Sequence, residues 1–190
     1  YENWINTVKC EDTVLICGDL SWATYLEESQ RDFEFLMKLP GKKIISKGNH
    51  DYWWTTQAKL DTFLKENKYE HIVFLHNNSI KVQNYAICGA RGWKSPFDKD
   101  FTKEDEKIYE REIIRLRLSL EAGKKLSDKI IVMIHYPPDV GFDRILEEYN
   151  VEYCVFGHLH GNSHGKFPEN ERDKLVSADY LKFIPKKIVG

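Results

Sequence analysis

Short apolar runs bounded by charge recur along the chain, spaced as strands separated by helices. Thr13 to Cys17, Lys43 to Ser46, Lys129 to Ile134 and Tyr153 to Phe156 are continuous apolar or β-branched runs, the pattern of strands covered on both faces. His71 to Leu75, Ser79 to Val82 and Tyr85 to Cys88 read as shorter strands, and Gln83-Asn84 as a tight hairpin between the last two. Helical spacing fills the intervals. Leu26 to Leu39 carries Phe33, Leu36 and Met37 amid charge and stops at Pro40-Gly41. A helix opens at a threonine N-cap at Thr55 and runs to about Lys68. Thr102 to about Lys125 places Ile108, Ile113, Leu116 and Leu120 on one stripe of a charged surface helix, with no chemistry of its own. Phe142 to Tyr149 is a short helix, and Asn3 to Val8 reads as the end of one. The stretch with Gly165, Pro168 and the charged Glu169 to Lys174 run is a loop, and a last strand falls near Leu181 to Ile184. Strands that alternate with helices and then give way to a hairpin predict a mixed α/β sheet with helices outside.

Length and charge narrow the function classes. At 190 residues the chain makes one well-cored domain, residues 1–190. A net charge of −2 provides no basic footprint, so no duplex nucleic acid is expected. No run of 18 apolar residues exists, which predicts no membrane helix. Cys10, Cys17, Cys88 and Cys154 form no CxxC pair, and three of them lie in apolar runs as small hydrophobes. A disulfide framework is not expected at this density, and a reducing cytoplasm is. The sequence begins at Tyr1, without a methionine, in what reads as the end of a helix, so an upstream segment is expected to be missing.

The candidate chemistry sits where the strands end. The chain is organised around Gly48-Asn49-His50-Asp51, a strand-to-helix loop followed by Tyr52-Trp53-Trp54, and α/β sheets place their sites at strand carboxyl ends. Asparagine is a neutral oxygen ligand, histidine a proton carrier near neutral pH, and aspartate a group able to orient an imidazole; a polar turn that caps the next helix is the plainer alternative. Gly18-Asp19 tops the first buried strand, as a cap or a ligand, and His135 stands at the end of Lys129–Ile134, structural or ligating. His158 and His160 follow Tyr153–Phe156, and histidines two apart in an extended segment face one side. Each residue alone is equivocal, but their coincidence at four strand ends points to a metal site. Imidazole and carboxylate suit zinc, manganese or iron, and oxygen donors shift the balance toward manganese or iron. Two such ions about 3.5–4 Å apart would clamp a phosphoryl group.

The ordered set Gly18-Asp19, Gly48-Asn49-His50-Asp51, His135 and Gly157-His158-Leu159-His160 resembles the calcineurin-like metallophosphoesterases over residues 18–160. Its extended contexts Gly-Asp-Leu-Ser-Trp, Gly-Asn-His-Asp-Tyr-Trp-Trp and Gly-Ala-Arg-Gly-Trp look like a bacterial branch of predicted phosphohydrolases. The resemblance implies an αββα two-sheet sandwich and a dinuclear centre of divalent manganese, iron or zinc whose bridging hydroxide attacks a phosphomono- or diester. It implies Asp19 as the bridging ligand, Asn49, His135 and His158 on one ion, and His160 on the other. His50 would protonate the leaving group, oriented by Asp51. The family's Asp-x-His block on its first strand is absent from this sequence, which predicts an N-terminally incomplete domain lacking that strand. Trp22 stands where many relatives carry a second aspartate, a difference bearing on substrate.

Arg91 could pair with a substrate phosphate, a surface salt bridge being the alternative. Trp22, Trp53, Trp54 and Trp93 all follow motif loops and could stack on a base or aryl group of a small-molecule substrate, or simply pack. His164 could line the pocket, and His71 and His76 read as structural. A non-catalytic protein-binding scaffold on the same fold is the rival to the enzyme.

Overall fold

The computed structural model describes residues 1–167 and 170–190. Pro168 and Glu169, placed by the sequence in a loop, lie outside the described residues. Strands β1 (Thr13–Ile16), β2 (Lys42–Ser46) and β3 (Ile72–Leu75) form a parallel sheet in the order β1-β2-β3. Helices α2 (Gln30–Met37) and α3 (Gln57–Glu66) are its crossovers; α1 (Glu2–Thr7) precedes β1. A second sheet has the order β4-β5-β6-β7-β8. Its antiparallel hairpin β4 (Ile80–Val82) and β5 (Tyr85–Gly89) is followed by parallel β6 (Lys129–Ile134), β7 (Tyr153–Phe156) and β8 (Asp173–Leu175). Helix α4 (Lys103–Lys124) connects β5 to β6, and α5 (Val140–Glu148) connects β6 to β7.

Strand alternation explains the layering. On β6, Ile130, Val132 and Ile134 pack with Leu116, Leu120, Phe142 and Ile145 under α4 and α5. Ile131 and Met133 turn the other way, to Ile44, Leu75 and Cys17 of the first sheet. On β2, Ile45 faces Phe33, Leu60 and Phe63 of α2 and α3 while Ile44 faces the second sheet. Three apolar cores therefore separate four layers, helices–sheet–sheet–helices, which is the predicted mixed α/β sandwich. Continuous apolar runs follow directly, since each central strand is covered on both faces.

Several boundaries differ from the sequence expectation. Leu26–Ser29 is a 3-10 turn ahead of α2, and α3 begins at Gln57 after Thr56, whose side chain makes no capping bond. The long helix keeps its cap: Thr102 accepts from the Asp105 amide and Asp105 reciprocates. The last strand is Asp173–Leu175, not Leu181–Ile184. Asp173 is buried beside β7 and held by Arg172 and Asn170, while Leu181–Ile184 folds into a turn in which the Phe183 amide donates to the Ala178 carbonyl.

Candidate metal and catalytic site

The carboxyl ends of β1, β2, β6 and β7 meet at one edge, and the two glycine loops touch backbone to backbone. Gly18 has φ +84°, and a Cβ there would lie 2.5 Å from the Gly48 Cα; one on Gly48 would overlap the Asp19 carboxylate. This approach requires glycine on both sides. Asp19 and His158 also adopt left-handed φ, +55° and +67°, conformations costing roughly 1–3 kcal/mol that persist where the surroundings impose them.

Asp51 fastens the loops together. It is fully buried, and its oxygens accept from the amides of Asp19 (2.8 Å), Gly48 (2.7 Å), Leu20 (2.9 Å) and Ser21 (3.3 Å) and from the Trp53 indole (3.1 Å). Burial pushes its carboxyl upward while the Gly48, Ser21 and Asp19 amides pull it back. Only the ionised form can accept all five bonds. The expected contact from Asp51 to the His50 imidazole is therefore corrected, because both carboxylate oxygens are engaged elsewhere. His50 instead lies flat against Trp22, with ring centroids 4.4 Å apart, and its Nδ1 is 3.2 Å from the Tyr52 hydroxyl. Its backbone amide donates to Asp19 Oδ1 at 2.8 Å.

Four acceptor atoms converge beside this fastening. Asn49 Oδ1 is 2.6 Å from His135 Nε2 and 3.0 Å from His158 Nδ1; the two ring nitrogens are 3.2 Å apart, and Asp19 Oδ2 is 3.3 Å from His135 Nε2. Burial lowers the pKa of His135 and, with His135 beside it, takes His158 down to about 4, so both rings are neutral near pH 7. His135 Nδ1–H donates to the Cys17 carbonyl at 2.8 Å, which leaves Nε2 as a lone pair. At most one proton, on His158 Nδ1, then serves four acceptors. Lone pairs facing one another at these distances fit a shared cation, since neighbouring ligands with bonds of about 2.1 Å lie roughly 3 Å apart. Among the described residues no three His, Cys, Asp or Glu side chains are arranged to hold an ion by themselves; the cluster depends on the amide oxygen of Asn49.

His160 is not brought into this cluster. The left-handed turn at His158 breaks the strand alternation, so the two rings part. His160 Nδ1 meets Asp179 Oδ1 at 2.8 Å, and the Gly161 amide donates to Oδ2 at 2.9 Å. His164 approaches the same carboxylate at 3.1 Å. Asp179, which sequence reading missed, fixes the His160 tautomer and leaves Nε2 free to bind, the arrangement of a carboxylate–histidine–metal triad. Nothing in the local sequence announces it, 19 residues downstream of His160.

The remaining candidates separate. Arg91 is neither at the acceptor cluster nor on an exposed salt bridge: its Nη2 pairs with buried Glu112 at 3.3 Å and its guanidinium lies 4.3 Å above the Trp93 ring. Trp53 and Trp54 are core residues at 2% and 9% exposure, whereas Trp22 is 74% exposed. His71 is exposed, and His76 lines a cleft with Arg91.

A model of the family described as calcineurin-like phosphoesterase matches residues 1–162 of the chain. A search among curated proteins gave no match.

Proposed function

The chain belongs to the calcineurin-like phosphoesterase family, and from that membership we propose that it hydrolyses a small-molecule phosphomonoester or phosphodiester at a pair of divalent ions. Metal-dependent phosphoester hydrolysis is the family's general chemistry. The observation that carries the reading here is the convergence of four acceptors with at most one proton among them.

Asn49, His135 and His158 would hold one ion, His160 the other, and Asp19 would bridge them. Manganese or iron suits the oxygen donors best, with zinc the third choice. When bound, the ions polarise the phosphoryl oxygens and supply the nucleophile from water. His135 keeps its Nε2 lone pair on the site because its one N–H, on Nδ1, donates to the Cys17 carbonyl. His50 donates a proton to the departing oxygen, held in place by the face of Trp22 and the hydroxyl of Tyr52. The exposed indole of Trp22 beside that ring suits an aryl or nucleotide leaving group. Arg91 contributes through the cleft described below. The four cysteines are free and three are buried, in keeping with a cytoplasmic setting; no helix among the described residues is long and apolar enough to cross a membrane.

A non-catalytic protein-binding module is the second reading. It is favoured by the geometry at His160, whose ring is tied to Asp179, and by the lack, among the described residues, of any three His, Cys, Asp or Glu side chains grouped to hold an ion. Elemental analysis of the purified protein, with hydrolysis of mono-aryl and bis-aryl phosphates in added manganese, separates the two. Bound metal with turnover, both abolished in Asp19→Ala, is the expected result. Neither metal nor turnover in the parent protein would overturn the enzyme and favour the module.

A further inference from the structure

Across Gly48 from the acceptor cluster lies a second cluster, built of donors. Lys47, Trp54, His76, Arg91, Glu112 and Arg115 line a cleft at the ends of β2, β3 and β5 against α4. Glu112 is 1% exposed; its Oε1 accepts from Arg91 Nη2 at 3.3 Å and Arg115 Nη1 at 2.6 Å, and its Oε2 from the Arg91 amide at 3.0 Å. Three cations thus stand against one carboxylate. Trp54 Nε1, His76 Nδ1 and Arg91 Nε are buried without a hydrogen-bond partner, although buried polar atoms are nearly always satisfied. All three belong to this one cleft.

The electrostatics point the same way. Burial and then the Arg115 and Lys47 charges lower the pKa of His76. Another positive charge is disfavoured beside His76; an anion in the cleft would meet Lys47, Arg91 and Arg115 and be opposed by Glu112. The space amounts to about 30 Å³, where roughly 10–15 Å³ accommodates one oxygen-sized group. Two or three oxygens of a compact anion fit, the rest facing the open mouth.

We propose that this cleft binds a tetrahedral oxyanion, inorganic phosphate or the second phosphate of a substrate, through Lys47, the Arg91 Nε–H, the Trp54 indole and His76. Its place beside the candidate site is fixed by the backbone. Lys47 directly precedes Gly48-Asn49, and the Arg91 carbonyl accepts from the amides of His135 and Tyr136 at 2.9 and 3.1 Å. The substrate form of the proposal rests on the phosphoesterase reading above, whereas binding of free phosphate does not.

The test starts with the ¹⁵N-labelled chain treated with chelator, so that no metal contributes. Inorganic phosphate is titrated in, with chloride at matched ionic strength as the control. The Trp54 indole and Arg91 Nε–H resonances should move saturably with phosphate only. Lys47→Met should weaken the phosphate affinity about tenfold, and Arg115→Gln, at a more exposed position, should weaken it as well. No saturable movement, or equal movement with chloride, overturns the proposal whatever the metal-loaded protein does. The metal-loaded protein then identifies the source. A bisphosphorylated ester with a KM about tenfold below its monophosphorylated counterpart, an advantage lost in Lys47→Met, assigns the cleft to substrate. Saturable binding without that advantage assigns it to free phosphate.

Discussion

The two halves of the candidate site are held in opposite ways. The half containing Asn49, His135 and His158 is built on backbone: Asp51 gathers four amides from two loops, the Cys17 carbonyl fixes one imidazole, and His135 is 1% exposed. The half containing His160 rests on side chains near solvent, with the ring 58% exposed and tied to one carboxylate, Asp179. Buried backbone hydrogen bonds leave the first half few alternatives, so its donors are preorganised; the second half is free to adjust. Such a difference suits a site with one permanent occupant and one exchangeable one.

Breaking the fastening of the first half should have the largest effect. Asp51→Asn keeps the shape but turns an NH₂ group toward N–H donors and removes the charge that five of them share. It should destabilise the fold by about 3 kcal/mol, read as a lower urea midpoint with an unchanged slope. An unchanged midpoint would mean that Asp51 does not carry the loop contact, and would reopen its assignment to the His50 ring.

The same contrast explains what the sequence could reveal. The first half is coded locally, largely by glycine followed by a polar residue at the ends of apolar runs, and strand periodicity places those ends on one edge. The four layers were legible for the same reason, each central strand being apolar on both faces. Asp179 and Glu112 were not. Asp179 sits in a turn with no periodic signal, and Glu112 looks like any charged residue of a surface helix until α4 packs it against Arg91. The expectation that His158 and His160 face one side failed because the alternation argument assumes extended backbone, which His158 at φ +67° does not have. Asp51 next to His50 suggested a pair, yet neighbours along a tight turn point apart, and the buried amides of another loop made the stronger claim on the carboxylate.

His50 tests whether catalysis can be separated from that framework. Its ring is stacked on solvent-facing Trp22, meets solvent-facing Tyr52 edge-on, and holds none of the four acceptors. His50→Ala should lower turnover of an unactivated alkyl phosphoester about 100-fold, with the urea midpoint and metal content nearly unchanged. An activated aryl ester, whose leaving group scarcely needs a proton, should lose far less. Equal losses on the two esters would remove His50 as the proton donor.

The smallest effect belongs to the tethered half, and it bears most directly on the comparison. Asp179→Asn retains an oxygen able to accept from His160 Nδ1–H but removes the charge that makes the ring a stronger donor toward a metal. Losing such a partner typically weakens metal affinity by 10- to 100-fold, and an exposed site should fall at the lower end, about tenfold. Manganese titration followed by calorimetry should then show two classes of site in the parent protein, and only the weaker class should shift in Asp179→Asn. His160→Ala should abolish that class and spare the other. If both classes weakened together, the two halves would be one coupled unit, and the division between a backbone-built half and a tethered half would fail. If neither moved, Asp179 would hold the turn after His160 through the Gly161 amide alone, and the ring would owe its position to the backbone like its neighbours.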